Sequence, residues 1–269
     1  MFKNIIICFL VAVLGQSCVS QNYGFHIPKN SRDQFTRILQ NTYLTACFDD
    51  RCETKTFKSS GSGVVVGSSP EGSYVLTAAH VCTVELMNIV PDPALLNLVK
   101  KISVEMKIVN LAQAKYKADV VSMDESSDMC LLFVDDYWNE SGPVKISGTK
   151  PFEGERVYNV AAPVGIFYED TVPLLEGFYM GNEGLRAYYS IPAMGGSSGS
   201  PVFNLRGYLV GMIHSVNTMF PMISVSPKYD ELKKFIQHNI KADLEKKSLV
   251  QEEEDVSQIM KNMLNQVGL

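Results

Sequence analysis

Gly195-Gly196-Ser197-Ser198-Gly199-Ser200-Pro201-Val202-Phe203 is the stretch on which the reading of this chain turns. Small residues flank one serine just ahead of an apolar run. That pattern fits a tight turn that exposes a side chain and two backbone N–H groups at the mouth of a strand. A serine so placed is a nucleophile only if a base takes its proton. The base candidate is His80, in Tyr74-Val75-Leu76-Thr77-Ala78-Ala79-His80-Val81-Cys82, where an apolar strand breaks into small residues. An acid must then fix the imidazole tautomer. Asp128, in Ser126-Ser127-Asp128-Met129-Cys130-Leu131-Leu132, is a lone carboxylate against an apolar strand, where burial is costly without a partner. Each motif alone is ordinary; their order, His80 then Asp128 then Ser198, is not.

The surroundings agree. Short β-rich runs broken by Gly, Pro, Asn and Asp extend from Thr42 to His214, which predicts antiparallel barrels or sandwiches rather than βαβ units. A polar stretch from Asp135 to Pro143 divides them into two units, 35–140 with His80 and Asp128, and 141–241 with Ser198. Pro91 to Lys101 predicts a short helix inserted in the first unit. Asp230 to Lys241 carries Leu232, Phe235, Ile236 and Ile240 on one helical stripe packed on the core. Residues 242–269 form an acidic, helical tail. Its acidic run Glu252 to Asp255 is a solvated face, and Val256, Ile259, Met260, Met263 and Leu264 start a last helix free to dock, self-associate or fray.

Composition excludes other classes. At 46% apolar and 20% charged residues the chain is globular, and with net charge −5 and no basic cluster it is no nucleic-acid binder. The four histidines are scattered and Cys47-x4-Cys52 has no second half, so no metal site and no cofactor is expected.

Behind Lys3 an apolar run of eleven residues, Ile5 to Gly15, is too short for a bilayer, which takes about 20 residues, and reads as an export signal ending near residue 18. Leu14-Gly15-Gln16-Ser17-Cys18 is similar to a bacterial lipobox with its Leu one position early. Two outcomes stay open: a membrane tether through a lipidated Cys18, or a freely secreted or periplasmic protein.

The motifs Leu-Thr-Ala-Ala-His at 76–80, Asp-x-x-Leu-Leu at 128–132, Gly-x-Ser-Gly-Ser-Pro at 196–201 and Gly211-Met212-Ile213 resemble those of the chymotrypsin-like serine proteases in their compact bacterial and viral form. The stretch around Ser198 looks nearest to glutamyl endopeptidase, and Gly154-x-x-Val157 with Ala162-Pro163 to Deg/HtrA-type domains. The resemblance implies an all-β fold of two six-stranded antiparallel barrels with a C-terminal helix, acting on protein or peptide substrates. It implies a catalytic His80, Asp128 and Ser198, an oxyanion hole from the N–H groups of Gly196 and Ser198, and a pocket lined by Ala193, Ile213, His214 and Ser215. Ser197 precedes the nucleophile where digestive relatives carry an Asp, so their zymogen switch is not expected. Pro192 stands where trypsin has its pocket Asp, which removes any reason for cleavage after Lys or Arg.

Glutamate- and glutamine-specific relatives place a His where this chain has Ile213 and a Thr or Ser where it has Ala193. In the plain register the pocket is therefore small and apolar, and His214 points to Asp128; a one-residue bulge would bring His214 into the pocket and favour Glu or Gln. If base and acid meet, their segments run side by side, and Cys82 and Cys130, each two residues beyond, come close enough to bond. Cys47 and Cys52 flank a hairpin tip and form the second pair; the alternative is buried thiols. Two rivals remain for function. A catalytically silent binding or scaffolding module usually loses a triad member, and all three are present. A lipase carries Gly-x-Ser-x-Gly in the order Ser, Asp, His, which is not the order here.

Overall fold

Burial alternates along Phe35–Phe48, as it must in a strand with one face on a core, and this strand organises the first unit. The structure is a computed structural model that describes residues 30–49, 51–90 and 92–267. The leader reading on residues 1–18, Cys18 included, lies outside them. After a helical turn α1 (Asn30–Asp33) come β1 (Phe35–Phe48), β2 (Arg51–Ser69) and β3 (Gly72–Thr77). Three more single turns follow, α2 (Ala79–Cys82), α3 (Leu86–Ile89) and α4 (Pro93–Leu96), then β4 (Val99–Val109), β5 (Lys115–Asp124) and β6 (Met129–Asp135). These six strands close into a barrel in the order β1-β2-β3-β6-β5-β4. The helix expected over Pro91 to Lys101 is shorter: Val99 already pairs with Ala46, so the strand takes residues 99–101.

The second unit holds β7 (Arg156–Val160), β8 (Leu174–Glu183), β9 (Arg186–Tyr189), β10 (Ser200–Asn204), β11 (Leu209–Ile213), β12 (Ser215–Val216) and β13 (Ser224–Pro227). The fold is the expected chymotrypsin-like one, but this sheet has seven strands, ordered β11-β10-β7-β8-β9-β13-β12, where six were expected. Both β12 and β13 lie beyond His214, where the β-rich runs read in the sequence end. The sheet curls rather than closing by a full ladder: His214 N–H donates to Val225 O, which ties the end of β11 to β13.

Helix α5 (Tyr229–Val267) runs unbroken for 39 residues, so the tail is one continuous helix and not a separate element. Its first turns bury Leu232, Phe235 and Ile236 in a core that also takes Leu76, Ile108 and Leu132 from the first barrel and Tyr158, Phe203 and Met212 from the second sheet. A smaller core of Val157, Tyr189, Ile191, Val202, Val210 and Ile213 fills the second sheet. No helix among the described residues is long and apolar enough to cross a membrane. Disulfides join Cys47 to Cys52, residues paired across the β1–β2 ribbon, and Cys82 to Cys130. Such bonds persist in extracellular or periplasmic surroundings.

Candidate active site

Antiparallel neighbours put the end of one strand beside the start of the other, and β3 and β6 are such neighbours, with Thr77 opposite Cys130. His80 lies three residues past the end of β3 and Asp128 one residue before β6, so the ladder itself delivers both to one edge of the barrel. There the His80 ring Nδ1 is 2.7 Å from Asp128 Oδ2, and the His80 backbone N–H donates to Asp128 Oδ1 at 2.9 Å. The Cys82–Cys130 bridge ties the two segments a few residues further on. Asp128 takes this position with φ of 52°, a left-handed conformation that Asp tolerates better than most side chains and that serves here to aim its carboxylate.

A second imidazole meets the same carboxylate. His214, between β11 and β12, holds its Nδ1 3.2 Å from Asp128 Oδ2. Burial pushes the Asp128 carboxyl pKa up, but hydrogen bonds from the His214 ring, the His80 ring and the His80 backbone outweigh it. The net result is a carboxyl held well below its usual range. The carbonyl of His214 faces Ser198 Oγ at 3.4 Å, so this residue touches both the serine and the acid.

Ser198 lies two residues before β10, in a turn that only glycine allows on either side. Gly199 has φ of 88°, and a Cβ there would meet Ser62 O at 2.1 Å; Gly196 has φ of 95° and would meet Ala162 O at 2.5 Å. The turn is bolted to the first barrel by the fully buried Ser62. Its N–H donates to Ser198 O at 2.8 Å, its hydroxyl donates to Gly196 O at 2.8 Å, and it accepts from Ala162 N–H at 3.0 Å. With those carbonyls turned inward, the N–H groups of Gly196 and Ser198 have no acceptor among the described residues. Sequence reasoning missed Ser62, which lies in the run Ser59-Ser60-Gly61-Ser62-Gly63, where no single serine stands out.

The remaining expected pocket residues are spread around this turn. Ala193 is nearly buried, and its N–H donates to Pro221 O; Ile213 packs in the core of the second sheet; Ser215 is exposed and pairs with Val225. The segment joined to Ala193 through Pro221 carries exposed Met219, Phe220 and Met222, with exposed Met194 beside the turn. None of these four was singled out in the sequence, where scattered Met and Phe carry no pattern. A cleft of about 890 Å³ opens over the imidazoles, lined by His80, Thr83, Asp128, Arg186, Tyr188 and His214.

Residues 61–212, more than half of the chain, match the family described as the trypsin-like peptidase domain. No curated protein matches the chain. Among solved structures the chain is similar to Rv3671c from M. tuberculosis H37Rv in its inactive form, a serine-to-alanine mutant. That likeness has 14% identity and a TM-score of 0.53, over 78% of this chain and 88% of that one. The active form of the Rv3671c protease gives 15% identity and a TM-score of 0.51, over 76% and 79%. At such identities the likeness concerns the fold, whereas the family match covers both the His80 and Ser198 motifs. The chain belongs to the trypsin-like peptidase domain family and is a serine peptidase.

Proposed function

We propose that the chain is an exported endopeptidase that cleaves through an acyl-enzyme, with Ser198 as nucleophile, His80 as base and then acid, and Asp128 as the group that orients His80. The observation that carries this reading is the double grip of Asp128 on His80, through ring and backbone at 2.7 and 2.9 Å. An Nδ1–H bound to a carboxylate leaves Nε2 with its lone pair, ready to take the serine proton and later give it to the leaving nitrogen. For this step Ser198 Oγ leaves its long contact with the His214 carbonyl and turns to His80. The free N–H groups of Gly196 and Ser198 then receive the oxyanion, an interaction worth about 3–4 kcal/mol per donor. Ser197, where digestive relatives carry an Asp, is buried and accepts from Met194 N–H, which fits an enzyme needing no new N-terminus for activation.

For the residue before the cut we propose a small or medium apolar side chain. His214 spends its ring on Asp128, Ala193 offers no hydroxyl, and Met194, Met219, Phe220 and Met222 surround the turn with apolar surface. Export is supported by the two disulfides and by the leader read at residues 1–18. The test is a peptide-library digest with the purified protein and its Ser198→Ala variant. Ser198-dependent cuts after apolar residues are expected, and the variant should lose about 10⁴-fold or more of the rate with its fold intact. Activity retained in Ser198→Ala overturns the mechanism, and dominant cleavage after Glu or Gln overturns the pocket.

A further inference from the structure

The long β1–β2 ribbon has an unpaired edge that starts at the nucleophile. From Arg51 to Gly63, β2 pairs with β1 alone. The Ser62 N–H already points off that edge, onto Ser198 O. Backbone groups alternate with period two, so Ser60, Lys58, Thr56 and Thr54 turn theirs to the same open side. Such an edge is a template for an extended peptide.

The face of the ribbon beside that edge is grooved and carries apolar side chains among the charged Glu53 and Lys55. The register places Thr42 with Phe57, Leu44 with Lys55 and Ala46 with Glu53, so these side chains share one face, and α3 and α4 lie across it. A hollow of about 350 Å³ begins at His80, with Gln40, Thr83 and Phe57 in its walls. A second, of about 500 Å³, is walled by Leu44, Phe48, Phe57, Ile89, Leu95 and Leu98. Phe57 and Ile89 line both, so the two form one continuous groove running from the imidazole to the hairpin tip. Its apolar side chains are left to solvent: Phe48 is 70% exposed and Leu95 48%. The Cys47–Cys52 bond holds Phe48 on a stapled turn, a rigid exposed ring of the kind that binding sites use.

We infer that this groove binds the leaving-group side of an extended polypeptide substrate and takes an apolar side chain several residues beyond the cut. The inference rests on the catalytic reading above. His80 delivers a proton to the leaving nitrogen, so the leaving segment starts beside the imidazole, where the groove starts. The acyl side lies instead against Ala193 and the strand after His214. From Ser59 to Arg51 the ribbon offers eight residue steps, about 26 Å at ~3.3 Å each, room for roughly seven residues of extended substrate.

The experiment compares internally quenched peptides that share an acyl side taken from the digest. One series stops two residues after the cut; the other runs seven, with Leu or Asp at the fourth to sixth positions. The long Leu peptide should exceed the short one in kcat/KM by about tenfold or more, and Leu95→Glu and Phe57→Glu should each erase most of that ratio. A fluorescent seven-residue Leu peptide with a free N-terminus should also bind the Ser198→Ala protein, and bind about tenfold more weakly once Leu95→Glu is added. Equal ratios for Leu and Asp peptides, or binding indifferent to Leu95→Glu, overturn the groove. Loss of all Ser198-dependent cleavage overturns the catalytic reading instead, and peptide binding to the Ser198→Ala protein still decides the groove.

Discussion

His214 and His80 direct their Nδ1 atoms at one and the same oxygen, Oδ2 of Asp128, at 3.2 and 2.7 Å. One carboxylate thus holds two imidazoles that both line the cleft, His80 the more exposed at 41% and His214 the more buried at 12%. The inner ring fixes the carboxylate so that the outer ring is fixed in turn.

Replacing His214 with Ala removes that brace while leaving His80 and Ser198 in place. The variant should lose about tenfold in kcat with little change in KM, on the scale of one hydrogen bond to a charged group. Its preference for the residue before the cut should be unchanged, because the ring faces Asp128 and not the pocket. Steady-state kinetics on two peptides differing only at that residue would check both points. A collapsed preference would put His214 in the pocket.

Asp128 gives a pH signature. Its folded pKa lies below the unfolded value of about 3.9, so the ionised form stabilises the native state. That contribution is complete above the unfolded pKa and is lost as pH falls through the folded one. The difference in unfolding midpoint between the protein and Asp128→Asn should shrink as pH falls below about 4, read by thermal melts from about pH 5 downward. A gap that widens below about pH 4 would contradict the sign.

Ser62→Ala should damage activity out of proportion to its size. It deletes the bond to Gly196 O and strands the buried N–H of Ala162, a loss of about 1–3 kcal/mol in stability. Freed from Ser62, the Gly196 peptide can rotate and misaim the oxyanion donors, so kcat should fall by about tenfold or more while the protein remains folded. Urea unfolding alongside kinetics separates the two effects.

The two disulfides should differ in weight. By loop-closure entropy the 48-residue separation of Cys82 and Cys130 is worth about 4 kcal/mol, against about 2 kcal/mol for the five-residue separation of Cys47 and Cys52. Paired Ala substitutions at Cys82 and Cys130 should therefore cost more in urea stability, and should lower kcat as well. The Cys47 and Cys52 pair should leave hydrolysis of short peptides near its original rate.

The meeting of His80 with Asp128, and the turn at Ser198, were legible because chemistry and context coincide at these three positions: each is a polar residue beside small or polar ones next to an apolar strand. Antiparallel pairing of β3 with β6 then accounts for the meeting of the first two. Ser62 was not legible, because a buried serine that bolts two barrels together looks the same in sequence as a serine in a loop. The boundary at Val99 was hidden by a good helical pattern that β1 overrides by pairing. The single long helix was hidden by the acidic run Glu252 to Asp255, which interrupts the apolar stripe without interrupting the backbone.

The Cys82–Cys130 bond closes the frame that holds His80 against Asp128, and it closes only where electron acceptors outcompete reducing thiols. Before oxidation, the turn bearing His80 and the turn bearing Asp128 are joined through the strand ladder and their own hydrogen bonds alone. After it, they are parts of one covalent ring. That ring couples the rigidity of the segments bearing His80 and Asp128 to the redox state of their surroundings: least where thiols stay reduced, full where the bond can form.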